Sequence, residues 1–307
     1  MKWTGVMPAL TTAFDASLNI DHGFVAHHAL WQVENGVNGL IALGSLGEAA
    51  TLSFEEKISL VNTLVKAVAG KVPVVAAVSA LSTAEAVNLS QAAHANGASG
   101  LMILPPYVYQ GDWPEMKAHV GAVLRATPLQ AMLYNNPVAY GTDFTPEQIQ
   151  ELASDHANLV AVKESSTDVR RVTAIRALAG DRLAIFVGVD DAIVEGIHAG
   201  AVGWVAGLVN ALPRESVELF RLASQGKTRD AFELYRWFLP LLRMDTVPKF
   251  IQLIKQVQQE LGVGCARVRG PRMELRGEEL TATREAVRTA MRSRPKPATP
   301  STPFTAS

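Results

Sequence analysis

Residues 159–166 read LVAVKESS, and the lysine at position 163 closes an apolar run of the kind that forms a buried strand. Burying an unpaired charge is among the costliest things a fold can do. Either Lys163 marks the point where that strand surfaces, or its amine is kept there for chemistry. A free lysine titrates near ~10.4, so only about one in 2,500 is neutral at pH 7. Apolar walls disfavour the ammonium form and can bring such a group toward ~7–8. A neutral amine adds to a ketone or imine carbon, and the protonated Schiff base then draws electrons from an adjacent C–C or C–H bond.

Two other residues suit that chemistry. Tyr134 lies in AMLYNNP, at the end of the preceding apolar run. Adjacent strands lie about 4.8 Å apart, so a phenol at the same height as the amine can shuttle protons as a carbinolamine forms and collapses. Its plainer use is as a rim aromatic. Ser45, in GSLGE, can relay a proton to that phenol or hold a substrate carboxylate. The same glycine-bearing turn offers backbone N–H groups to an anion.

The elements that must position these residues form a regular series. Short apolar runs begin at 5, 39, 72, 100, 129, 159, 183 and 203, and amphipathic stretches separate them. Most runs are continuous rather than alternating, as expected of parallel strands buried on both faces. SFEE at 53–56, STAE at 82–85 and TPEQ at 145–148 are helix-start signals. Eight strand–helix repeats predict a (β/α)8 TIM barrel. A doubly wound sheet is disfavoured because no G-x-G-x-x-G follows the first strand.

The reading assigns residues 1–225 to the barrel, 226–292 to a C-terminal helical extension and 293–307 to a disordered, proline-rich tail. Active sites of such barrels lie at the C-terminal strand ends. That places Ser45, Glu48, Tyr107, Tyr134, Asn135, Lys163, Glu164, Gly188, Asp190, Asp191, Gly207 and Asn210 on one rim.

Composition bounds the function. A net charge of −1 leaves no electrostatic footprint for nucleic acid or an anionic membrane. No apolar run reaches spanning length and the N-terminus lacks a signal-peptide core, so a cytoplasmic protein is expected. Cys265 is the single cysteine, which excludes an internal disulfide, and it reads as a small buried hydrophobe. The seven histidines fall in helical stretches, away from the strand ends where a metal-dependent aldolase would need them. Glu48, Asp190 and Asp191 could hold Mg²⁺, but acidic residues in such loops commonly cap helices. No metal is expected.

The segments GSLGEAATLSFEEK, LYNNPVAYGTDFTPEQ, VAVKESSTD and GVDDAIVEGIHAGAVGWVAGLVN resemble the dihydrodipicolinate synthase and N-acetylneuraminate lyase superfamily, from about residue 3 to 275. The resemblance implies a TIM barrel with a helical C-terminal part, usually a homotetramer, with class I chemistry on pyruvate-like 2-oxo acids and no cofactor. It places Lys163 on the Schiff-base lysine, Tyr134 on the acid/base tyrosine and Ser45 on the hydroxyl relay. Gly44, Ser45 and Leu46 fall on the carboxylate-binding loop.

The departures bear on substrate. Ala139 stands where the synthases carry an arginine for a second carboxylate, and alanine cannot make that bidentate contact. Val108 stands where they lend a tyrosine across a subunit interface, with Tyr107 beside it, and Leu46 replaces a hydroxyl-bearing residue. The motif texture is most similar to the branch that deaminates 1-pyrroline-4-hydroxy-2-carboxylate, a cyclic imine with one carboxylate and one hydroxyl. On that reading Tyr107, Tyr140, Gly188, Asp190 and Gly207 complete the substrate pocket, with Asp190 or Tyr140 at the ring hydroxyl. Alternatives within the class are the synthase itself, N-acetylneuraminate lyase and a 2-keto-3-deoxy sugar acid aldolase or dehydratase. Outside it stands a catalytically silent 2-oxo acid sensor.

Overall fold

A computed structural model of the chain describes residues 1–295. Eight strands are formed: β1 (Gly5–Pro8), β2 (Leu40–Ala42), β3 (Val74–Val78), β4 (Gly100–Ile103), β5 (Ala131–Asn135), β6 (Leu159–Glu164), β7 (Ala184–Val187) and β8 (Gly203–Ala206). They pair in parallel in the order β1-β8-β7-β6-β5-β4-β3-β2. A parallel bridge between Ala9 and Ile41, with the Leu10 amide donating to the Ile41 carbonyl at 2.9 Å, joins the two ends. The result is a (β/α)8 TIM barrel. Continuous apolar runs form these strands because both faces are covered: every residue of β3 and β5 is buried.

The helices follow the start signals. Ser53 caps α2 (Phe54–Val68) and Thr145 caps α6 (Pro146–Asp155), each in a reciprocal capping box. At α3 (Thr83–Ala95) only half of the box forms. Ser82 accepts from the Glu85 amide, while the Glu85 carboxylate turns to the Leu81 amide instead. A further box, Asp112 with Glu115, opens α4 (Trp113–Arg125).

The remaining barrel helices are α1 (His22–Glu34), a four-residue α5 (Pro137–Tyr140), α7 (Arg170–Ala179), α8 (Ile193–His198) and α9 (Pro213–Ser224). The extension comprises α10 (Thr228–Leu242), α11 (Phe250–Glu260) and α12 (Gly277–Arg292). The proposed tail from 293 lies outside the described residues from position 296 onward, and Ser293 caps the end of α12.

The extension is fastened to the barrel at the strand 2 loop. Lys255 of α11 donates to Glu48 at 2.7 Å, and both side chains are at most 1% exposed. The other Glu48 oxygen accepts from the Arg269 amide at 3.0 Å, and the Arg269 guanidinium grips both oxygens of Glu56. Glu48, a strand-end candidate by position, is therefore a buried anchor. Removing one member of such a pair typically costs about 3–5 kcal/mol, because the other charge is left buried alone.

Candidate active site

Register brings the amine and the phenol together. On β5 and β6, Tyr134 pairs with Lys163 and Asn135 with Glu164. The Lys163 Nζ lies 4.1 Å from the centre of the Tyr134 ring. Lys163 is 6% exposed, and its side chain makes no salt bridge or hydrogen bond among the described residues. The neighbouring pair does structural work. Asn135 Nδ2 donates to Glu164 at 3.0 Å, while its Oδ1 accepts from the Phe144 amide at 2.9 Å. Glu164 also accepts from the Ser166 amide, and burial raises its carboxyl above the usual range. The second residues of Y-N and K-E thus clamp the two strand ends, and the first residues face one another.

A cavity of about 1,000 Å³ opens on this rim. Its lining includes Gly44, Ser45, Leu46, Tyr107, Tyr134, Ala139, Tyr140, Lys163, Gly188 and Gly207. Gly188 makes room for the amine: a Cβ there would stand 2.5 Å from Lys163 Cε and 2.0 Å from Ser165 Oγ. Asn136 Nδ2 donates to the Tyr134 hydroxyl at 2.9 Å and fixes its position.

Ser45 and Tyr140 are joined hydroxyl to hydroxyl. Tyr140 stands edge-on to Tyr134 at 5.7 Å between ring centres, and its ring is tilted on Tyr107 at the same separation. Burial, and then the neighbouring phenols, push Tyr140 well above the ordinary phenol range, so it is a neutral hydroxyl near pH 7. Ser45 therefore meets the phenol cluster through Tyr140 rather than Tyr134.

Asp190 lies behind the wall. It is fully buried, and its carboxylate accepts from Trp204 Nε1, the Gly207 amide and the Leu208 amide at 2.8–3.2 Å. Those donors fix the turn after β8, and burial raises Asp190 to about 6. The position expected to touch a substrate hydroxyl instead shapes the backbone beside it. Asn210 is likewise buried, donating to the carbonyls of Ala9 and Gly207.

Several lining residues escape the strand-end rule, three of them polar or charged and of chemical interest. Asp245 and Arg272 come from the helical extension, and Ser165 follows Lys163 by two positions. Ser165 Oγ is buried with no hydrogen-bond partner. The break between α10 and α11, MDTVPK, is the one sequence signal that a loop returns to the barrel mouth there. Among the described residues there is no group of three or more His, Cys, Asp or Glu side chains placed to hold a metal, and no helix long and apolar enough to cross a membrane. Cys265 is half-buried, its thiol toward the Phe14 carbonyl.

A TIM barrel with an amine and a phenol in register at the ends of β5 and β6 defines the class. The model of the dihydrodipicolinate synthetase family matches residues 2–290. The 4-hydroxy-tetrahydrodipicolinate synthase of Bartonella quintana is 31% identical over 87% of this chain and 91% of its own. That of Methanosphaerula palustris is 31% identical over 93% and 98%. The crystal structure of dihydrodipicolinate synthase from Aquifex aeolicus superposes with a TM-score of 0.90 at 27% identity, covering 93% of this chain and 97% of that one. The chain belongs to the dihydrodipicolinate synthetase family and is a lyase of that Schiff-base-forming class.

Proposed function

We propose that Lys163 is the Schiff-base nucleophile and Tyr134 the acid/base that carries protons to and from its adduct. The observation that carries this reading is the in-register pair, with the amine 4.1 Å from the ring centre and no carboxylate bound to it. An amine attacking a carbonyl or imine carbon must lose a proton, and the departing oxygen or nitrogen must gain one. A phenol across the strand serves both transfers. Ser45 and Tyr140, joined hydroxyl to hydroxyl, extend the path for protons along the rim. The turn at Gly44–Leu46 seats the substrate carboxylate on its amides.

The substrate proposed is a small 2-oxo acid or cyclic imine with one carboxylate, and specifically 1-pyrroline-4-hydroxy-2-carboxylate. Ala139 and Leu46 line the cavity without polar side-chain atoms, which suits a molecule with few charged groups. Lys163 adds to the imine carbon and the ring opens. A C3 proton is lost and the C4 hydroxyl leaves. The new C3=C4 bond shifts to C4=C5 as C5 loses a proton and C3 regains one, and protonation at C4 gives a C5 imine. Water hydrolyses that imine and the Lys163 Schiff base to 2-oxoglutarate semialdehyde and ammonia. A second reading, 4-hydroxy-tetrahydrodipicolinate synthesis, is favoured by the naming of the curated relatives. Purified enzyme offered each substrate set separates the two. The first reading expects ammonia release from the hydroxylated pyrroline and no consumption of aspartate semialdehyde with pyruvate. The reverse pattern overturns it.

The apolar side chains of Leu81, Val108 and Val138 stand exposed at the cavity mouth, Val108 at 95%. A homotetramer in which another copy covers this rim is part of the same reading, and light scattering at the protomer or tetramer mass tests it.

A further inference from the structure

Asp245 enters the cavity from outside the barrel. It lies in the single turn Arg243–Thr246 between α10 and α11, and reaches over the end of β8 onto Gly207. A Cβ at Gly207 would stand 2.1 Å from Asp245 Oδ1, so the carboxyl occupies the space that any other residue there would fill. Among the described residues it has no hydrogen-bond or ion-pair partner. The nearest basic residue along its own turn, Arg243, faces Asp191 instead at 3.6 Å. The Asp190 carboxylate, by contrast, is fully engaged on the far side of the same glycine. An open carboxyl thus shares the cavity with Lys163, with no hydrogen-bond or ion-pair partner among the described residues.

We propose that Asp245 is the general acid that protonates the hydroxyl leaving a Schiff-base-bound substrate, an inference that rests on the deaminase reading above. Once the C3 proton is lost, the Lys163 adduct is an enamine. Its nitrogen lone pair re-forms the C=N⁺ bond, the C2=C3 pair moves to C3=C4, and the C4–O bond breaks. The Asp245 proton goes to the departing oxygen, giving water and the Asp245 carboxylate, which solvent reprotonates. Burial, and then the charge of Asp190, hold Asp245 well above the ordinary carboxylate range while Lys163 opposes them, the direction that suits a proton donor.

The test compares wild-type and Asp245→Asn enzyme, with thermal melting to confirm folding. Three readouts are taken: borohydride trapping with pyruvate, turnover of the 4-hydroxy substrate, and turnover of its 4-fluoro analogue, whose leaving group needs less protonation. The expected result is unchanged trapping, a loss of roughly 100-fold or more with the hydroxyl, and a loss under about 10-fold with the fluoride. Equal losses on both substrates, weakened trapping, or no loss at all would overturn the role of Asp245. If the wild type itself releases no ammonia from the hydroxylated pyrroline, the deaminase reading fails first and this inference with it.

Discussion

Three lysines are buried among the described residues, and two of them, Lys255 and Lys163, rest on an aromatic ring. Lys255 lies 4.5 Å above Phe14 and Lys163 lies 4.1 Å from the centre of Tyr134. The first is ion-paired with a carboxylate that is itself satisfied by a backbone amide. The second has an open cavity where the partner would be. Burial alone does not distinguish a structural cation from a reactive amine. The partner does: a charge balanced on every side is an anchor, and one left unbalanced beside a cavity is available for chemistry.

The comparison predicts opposite phenotypes for the same substitution. Lys163→Met is expected to reduce turnover by roughly 10⁴-fold or more, since removing a covalent nucleophile leaves only binding and positioning. Its melting temperature should hold or rise, because a buried polar group without a hydrogen-bond or ion-pair partner is replaced by an apolar side chain of similar size. Lys255→Met is expected to lower stability by about 3–5 kcal/mol, measured by urea unfolding, while the folded fraction keeps its turnover. Exchanged outcomes would break the distinction between the two sites.

A smaller effect sharpens the anchoring side. His28 is fully enclosed, bonded to the Asn210 carbonyl at 2.9 Å and near Gln258 of the same helix as Lys255. Burial lowers it to about 4, with the Asn210 carbonyl opposing. Between about 6.5 and about 4 the unfolded chain binds a proton that the native histidine refuses. Stability is therefore lost as pH falls through that window, by at most about 1.4 kcal/mol per pH unit. Unfolding measured at pH 7 and pH 5 should show the loss in the wild type and a shallower one in His28→Gln. An identical pH slope in both would remove His28 from the account.

Much of this was legible in the sequence, for identifiable reasons. Continuous apolar runs separated by capped helices specify a barrel, and the barrel rule puts Tyr134, Lys163, Ser45, Gly188 and Gly207 on one rim. What composition could not give was the direction each polar side chain takes. Asp190 and Glu48 sit on that rim by position yet turn into the protein, because backbone amides and Lys255 offer them better partners than water. Ser45 binds Tyr140 because the short α5 turns that phenol back over the cavity. Asp245 was invisible to the strand-end rule, since it arrives from helices added after the last strand. Its contact with Gly207 depends on how the extension folds back, a long-range feature with no local signature.

The most direct test of the central claim is chemical trapping. Wild-type protein is incubated with pyruvate and borohydride, digested, and its lysines are mapped by mass. The account predicts one reduced pyruvate adduct, on the peptide that carries Lys163, with Lys255 unmodified. Turnover that persists without any adduct on Lys163, or an adduct formed on another lysine in its place, would contradict it.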